Sequence, residues 1–176
     1  MNTSKNKIVF ADLDDSNKHT STKENVVKVY NMIANALFGD NKFFGNNVKL
    51  EMVDKHNCVK FGEDNQFHKR PDFVVRDFTT QNKIYFDVKN QDVSGTATER
   101  SFGYFTPKFL DNAKKTLNVD YCPFVVIYTG AYLNDYKVKR QIESYLYDEQ
   151  FAFIRSVDFH DNNFIENIKR KIGRIF

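Results

Sequence analysis

Two aspartates and a lysine stand on two apolar stretches of the chain. Asp72 comes directly before the first stretch, and Asp87 and Lys89 belong to the second, which follows the polar residues 79–82. Polar turn residues between two β-branched and aromatic stretches predict a β-hairpin. In such a hairpin Asp72 lies about opposite residues 87–89, within roughly 5 to 8 Å across the strands. Two acids and one cation are therefore expected together at one end of a sheet.

The second stretch alternates between two kinds of side chain, with Ile84, Phe86 and Val88 in one set and Tyr85, Asp87 and Lys89 in the other. Successive side chains of a strand point to opposite faces, so Asp87 and Lys89 share one face and the aliphatic set shares the other. We therefore expect Phe86 in the core and Tyr85 on the side of the charged groups.

The grouping of two carboxylates with a lysine indicates a particular chemistry. Two carboxylates in one place repel each other and resist double ionisation unless a cation lies between them. Oxygen ligands on rigid strands suit Mg²⁺, for which Mn²⁺ can substitute. Such a metal polarises a phosphoryl oxygen and acidifies a bound water, while Lys89 orients that water or neutralises charge on the phosphate. The alternative is an edge hairpin whose Asp and Lys form an ordinary surface ion pair.

The order and spacing of these residues also carry a resemblance. Pro71 and Asp72, followed after fourteen intervening residues by Asp87, Val88 and Lys89, resemble the PD-(D/E)xK nuclease superfamily, which includes restriction endonucleases and Holliday-junction resolvases. The resemblance implies that Asp72 and Asp87 are metal ligands, with the main-chain carbonyl of Val88 as a third, and that Lys89 is the catalytic lysine. The bare pattern is unspecific, but here it falls on a predicted hairpin in the expected order.

A further acid is expected from elsewhere in the chain. Nuclease relatives often take one from the first helix, and Glu24 is the candidate by position, so it is counted among the catalytic residues. Ser21 and Glu24 also form an S-x-x-E capping box, which explains the glutamate without chemistry. Glu51 competes with Glu24, although an outward charge on a half-buried strand is common.

Length and composition set the wider frame. The chain has 176 residues, which suits one domain over residues 1–176, and its net charge of +3 permits binding of nucleic acid by a local patch. Cys58 and Cys122 have no metal-ligand spacing, so free thiols in a reducing compartment are expected. No apolar run approaches the roughly twenty residues of a membrane span. A cytoplasmic protein without a membrane partner is the prediction.

The remaining elements alternate between helices and strands. The sequence predicts a helix from Ser21 that Gly39 ends, paired strands at 48–54 and 58–61, the hairpin, a helix at 107–117, a buried strand at 121–129, a helix at 134–148, a strand at 151–159 and a helix at 163–176. This order predicts an α/β fold with a mixed central sheet and helices on both faces. It is similar to the restriction-endonuclease-like core.

Together these features predict a metal-dependent DNA endonuclease. Restriction-type cleavage is preferred because the chain has loop material beyond a minimal core. The alternatives are a Holliday-junction resolvase or another structure-specific nuclease and, in a different class, a nucleic-acid-binding module without hydrolysis. DNA contacts are expected from the polar segment 90–100. A homodimer is expected too, because cutting both strands of a duplex needs two opposed sites.

Overall fold

The computed structural model describes residues 20–39, 45–53, 59–61, 67–90, 97–129, 136–147, 150–153 and 162–176. The helices are α1 (Thr20–Phe38), α2 (Ala97–Phe102), α3 (Pro107–Leu117), α4 (Tyr136–Tyr145) and α5 (Asn162–Gly173). The strands are β1 (Val48–Met52), β2 (Val59–Phe61), β3 (Phe67–Lys69), β4 (Phe73–Asp77), β5 (Lys83–Asn90), β6 (Phe124–Thr129) and β7 (Phe151–Phe153). Among these described helices, none combines the length and apolar character that crossing a membrane requires.

Five strands form a mixed sheet in the order β1-β4-β5-β6-β7. The first three are antiparallel neighbours, whereas β6 runs parallel to β5 and β7 runs parallel to β6. Every residue of β6 is buried, as expected for an apolar strand covered on both faces. The strands β2 and β3 form a separate two-stranded sheet.

Helices cover both faces of the five-stranded sheet. On one face α1 and α5 pack against a core that includes Phe73 and Phe86, whose rings stack with centroids 5.1 Å apart. On the other face α3 and α4 pack against a second core that includes Val74, Tyr85 and Tyr128. The predicted α/β architecture is confirmed, and so are the opposite faces of Phe86 and Tyr85.

The hairpin of β4 and β5 is closed by side chains of its own turn. The carboxylate of Asp77 accepts the N–H of Thr79 at 2.7 Å and the hydroxyl of Thr80 at 2.9 Å. Gln81 has a positive φ of 64°, which a tight reversal of the chain requires. The polar turn chemistry in the sequence therefore fixes the register that brings the two aspartates together.

The predicted pairing of residues 48–54 with residues 58–61 is wrong. β1 pairs instead with β4, with Val48 facing Asp77 and Met52 facing Phe73, while β2 pairs with β3. In this position the apolar side of β1 adds to the core beneath α1. If β1 paired with β2 apart from the sheet, this apolar side would stay exposed to water.

Ser21 lies in the first turn of α1, which begins at Thr20, and its capping box with Glu24 stays a prediction. Within the polar segment 90–100, residues 97–100 belong to the short helix α2, and residues 91–96 lie outside the described residues. The parts of the predicted strands and helices at 54–58, 130–135 and 154–161 lie outside the described residues.

Candidate active site

Asp72 lies just before β4, where the strand departs from regular pairing. Its N–H donates to the carbonyl of Phe86 at 2.8 Å, although Phe86 already faces Phe73 in the register. Two consecutive residues of one strand thus face one residue of the other, as in a β-bulge, a feature that redirects a side chain. The carboxylate of Asp72 points to β5, where its Oδ2 accepts the N–H of Val88 at 2.7 Å.

Asp87 and Lys89 lie on one face of β5, as the alternation predicts. Asp87 is buried, with 4% of its surface exposed, and the Lys89 ammonium forms an ion pair with its Oδ2. That oxygen is fully buried and, apart from the Lys89 ammonium, has no partner among the described residues. A carboxylate has more lone pairs than one ammonium satisfies, so the remaining ones are available to a metal ion.

The two aspartates are electrostatically coupled. Burial, and next the negative charge of Asp87, raise the pKa of Asp72 to about 7. The Val88 N–H and the Lys89 ammonium act in the opposite direction without cancelling these effects. Near neutral pH the pair therefore resists full ionisation in the absence of a further cation, and a divalent cation fits this position.

The side chains of the site do not complete a metal coordination shell. Within the described part of the chain, no group of three or more His, Cys, Asp or Glu side chains is placed to hold a metal. The N–H and C=O of a strand residue point to the same neighbouring strand, so the Val88 carbonyl is directed to β4 like its N–H. Hard cations readily take carbonyl, water and phosphate oxygens beside two carboxylates.

Tyr104, between α2 and α3, is a residue of the site that the sequence analysis missed. It is 4% exposed, and its pKa is raised first by burial and then by the negative charge of Asp87. Its ring packs against Phe124 at 5.0 Å and edge-on against Phe109 at 6.3 Å. The Lys69 ammonium lies 4.8 Å from the ring centroid. Packing thus holds Tyr104 in a buried position where it interacts electrostatically with Asp87.

The structure does not bring Glu24 to the two aspartates. Glu24 is exposed and forms an ion pair with Lys28 at 2.6 Å on α1, which packs against the face of the sheet opposite Asp87. Glu51 faces Val74 across β1 and β4, on the same face as Asp87 but two strands away from it. The catalytic role of either acid stays a prediction.

α1 reaches the end of β5 through an uncharged neighbour of Glu24. The buried Asn25 donates from its amide to Asn90 Oδ1 at 2.9 Å and to Thr129 Oγ1 at 3.4 Å, and the Thr129 hydroxyl donates to Asn90 Oδ1 at 3.1 Å. This polar trio fixes the residue that follows Lys89. Its three residues are far apart in the sequence, so no spacing of residues could have indicated that they meet.

Comparison with known proteins decides the family. The family described as "Type II restriction enzyme MunI" matches residues 19–176. The chain belongs to this family of type II restriction enzymes. The match spans every helix and strand of the described residues, so it includes the flanking helices as well as the hairpin. The restriction-type endonuclease predicted from the sequence is confirmed, and nothing favours a junction resolvase or a module without hydrolysis.

A solved structure agrees with this MunI-type assignment. The crystal structure of MunI restriction endonuclease in complex with cognate DNA superposes with a TM-score of 0.56, covering 85% of this chain and 93% of that chain. The two sequences are 20% identical, so this likeness establishes the fold. No curated protein matches the chain.

Proposed function

We propose that this restriction enzyme hydrolyses DNA phosphodiester bonds at Asp72, Asp87 and Lys89 with Mg²⁺ as the cofactor, which Mn²⁺ can replace. The observation that carries the proposal is the coupled pair of carboxylates at one end of the hairpin. One of them has a pKa of about 7, and the other presents a buried oxygen that is paired with the Lys89 ammonium. Repulsion between two such carboxylates destabilises the metal-free protein, and a divalent cation between them offsets this repulsion.

Each group in the site then has a distinct task. Asp72 and Asp87 hold the metal together with the Val88 carbonyl, and the bound ion supplies Lewis-acid activation of water and phosphate. The Val88 N–H orients Asp72, and the buried Tyr104 is a polar neighbour of Asp87. Lys89, tethered to Asp87 by its ion pair, neutralises charge that develops on the phosphate or orients the attacking water.

DNA is the proposed substrate, and a homodimer is the proposed active assembly. The MunI enzyme, the structural neighbour, was solved with cognate DNA, and its fold covers most of this chain. Each chain offers one hairpin site, and a two-fold dimer presents two opposed sites to the two strands of a duplex. A single domain over residues 1–176 in the cytoplasm completes the proposal. Light scattering should show a dimer when duplex DNA is present, and a strict monomer that makes concerted double-strand cuts contradicts it.

The test of the chemistry separates cleavage from metal binding. Supercoiled plasmid, linear duplex, four-way junction and single strands are incubated with Mg²⁺ and the wild type, Asp87→Asn, Lys89→Ala or the control Lys60→Ala, an exposed lysine of β2. Both site variants should lose duplex cleavage. Asp87→Asn should also weaken binding of divalent cations measured by calorimetry, whereas Lys89→Ala should leave much of it intact. If both variants keep undiminished Mg²⁺-dependent cleavage, the proposed catalytic site is wrong.

A further inference from the structure

Three cations lie side by side across three adjacent strands. Lys49 of β1 faces Arg76 of β4, and Arg76 faces Lys83 of β5. Directly paired residues of antiparallel strands share a face, and Lys83 alternates in phase with Asp87 along β5. This cationic row, made of Lys49, Arg76 and Lys83, therefore lies on the same face of the sheet as the catalytic aspartates.

The positive charge of the cationic row is only partly compensated. Like charges placed directly opposite each other destabilise a sheet. The pKa of Lys83 is lowered, first by burial and then by the charge of Arg76, and the opposing effect of Glu51 is the smallest of the three. Within the described residues, none of the three cations forms an ion pair with an acid. The row thus has the charge and the donors to accept an anion.

Arg76 carries the clearest sign of a missing partner. Its Nε is buried and has no hydrogen-bond partner. A buried donor without an acceptor costs free energy, and an anion bound to the rest of the guanidinium would offset that cost electrostatically. Phe78, which is 40% exposed, holds the neighbouring groups in place: the Lys49 ammonium lies 5.1 Å and the Arg76 guanidinium carbon 5.5 Å from its ring centroid. Lys49 and Arg76 are therefore held beside one aromatic ring before any anion binds.

We propose that the cationic row binds a backbone phosphate of the DNA substrate at a place separate from the cleavage site. The inference rests on the proposed function. Lys83 lies four residues before Asp87 on β5, roughly 13 Å away along the strand, so one phosphate cannot contact both. A guanidinium flanked by two ammonium groups suits a phosphodiester, and such a contact positions the duplex without reading its sequence.

The experiment measures how affinity for DNA depends on salt. Arg76→Gln and Lys49→Gln are compared with wild type and with Arg170→Gln, an exposed arginine of α5 on the opposite side of the sheet. Fluorescence anisotropy with a short duplex in Ca²⁺, from about 50 to 200 mM salt, gives the slope of log affinity against log salt. Loss of one phosphate contact should reduce its magnitude by about one for the row variants and leave the Arg170→Gln slope unchanged.

Cleavage in Mg²⁺ supplies the second measurement. Row variants should cut at the wild-type rate when DNA is saturating but should need several-fold more DNA to reach it, because positioning is lost and chemistry is not. Wild-type slopes in both row variants overturn the cationic row while leaving the nuclease intact. A wild type that neither binds nor cuts duplex DNA overturns the proposed function together with the row. If Arg76→Gln fails to fold, the exposed Lys49→Gln decides alone.

Discussion

The carboxylate of Asp72 accepts the main-chain N–H of Val88 at 2.7 Å, so the first aspartate is bound to the residue that separates the second aspartate from the lysine. This hydrogen bond joins the side chain of Asp72 to the main chain of β5, and the paired main chains of β4 and β5 hold both residues in place. The relative positions of Asp72, Asp87 and Lys89 therefore depend on the hairpin and not on a bound metal. We expect the site to be preformed.

Asp72→Asn is expected to stabilise the metal-free protein above pH 7. Folding raises the pKa of Asp72 from its ordinary value of 3.8 to about 7, so between these values the folded chain binds a proton that the unfolded chain has released. Wild-type stability should therefore fall as pH rises from about 4 to 7 and stay low above it. Asparagine keeps an acceptor for the Val88 N–H and removes the charge. The test is the thermal unfolding midpoint of wild type and Asp72→Asn, measured from about pH 4 to above pH 7.

The matched control is Asp111→Asn, an exposed carboxylate of α3, whose curve should follow that of the wild type. Saturating Mg²⁺ should raise the wild-type midpoint above pH 7 and leave that of Asp72→Asn nearly unchanged, because a ligand stabilises only the state that binds it. A wild-type midpoint that rises steadily from pH 4 to 7 while the Asp72→Asn midpoint stays flat contradicts the coupling of the two aspartates.

Tyr104→Phe should reduce cleavage without unfolding the protein. The buried hydroxyl of Tyr104 interacts electrostatically with the Asp87 carboxylate. Loss of a polar group next to a metal ligand weakens metal binding and activity, so we expect about tenfold slower cleavage and a higher Mg²⁺ requirement. The control is Tyr145→Phe, an exposed tyrosine of α4. An unchanged Mg²⁺ dependence would show that Tyr104 serves packing only.

Phe86→Ala should lower the free energy of unfolding by about 3 to 5 kcal/mol, because Phe86 is fully buried and stacks on Phe73. Urea denaturation measures the change. Tyr147→Ala, at a position that is 74% exposed, should change stability by less than about 0.5 kcal/mol. Equal stability of Phe86→Ala and wild type would mean that the strand register is different from the one described.

Glu24→Gln should leave cleavage within about twofold of wild type, since it breaks only an exposed ion pair with Lys28 that contributes little to stability. Glu51→Gln tests the competing acid in the same assay. The measurement is the single-turnover rate of duplex cleavage in Mg²⁺. A loss of more than tenfold in either variant would establish that glutamate as the further acid and would require movement of α1 in the case of Glu24.

The sequence was most informative where neighbouring residues decide the structure. The turn chemistry at 79–82 and the alternation along β5 place Phe86, Tyr85 and Asp87 on their correct faces, because both are local properties of the chain. Pairing of β1 with β4 is a contact between distant segments, and nothing in the alternation of residues 48–54 favours β4 over the nearer strand. The three-residue strand β3 is too short to show a period.

Tyr104 and the polar trio could not be predicted for a related reason. Tyr104 follows a segment of loop-like composition, and its role depends on a ring pocket built from α3, β6 and Lys69. The aromatic residues at 102, 104 and 105 were the one available signal that this segment is buried. Asn25, by contrast, is a polar helix residue that the sequence gives no reason to place in the interior. Only the folded structure shows that it is buried and donates to Asn90 and Thr129.

The parallel pairing of β5 with β6 has a consequence for the order of folding. A turn of five residues, 78–82, separates β4 from β5, whereas residues 91–123 separate β5 from β6. Closing a short loop costs less entropy and is faster, so we expect the hairpin to form first and the β5–β6 pair later. The carboxylates of Asp72 and Asp87 then meet while water still surrounds them. Their repulsion grows only as the second core closes, when the apolar contacts that offset it form in the same step.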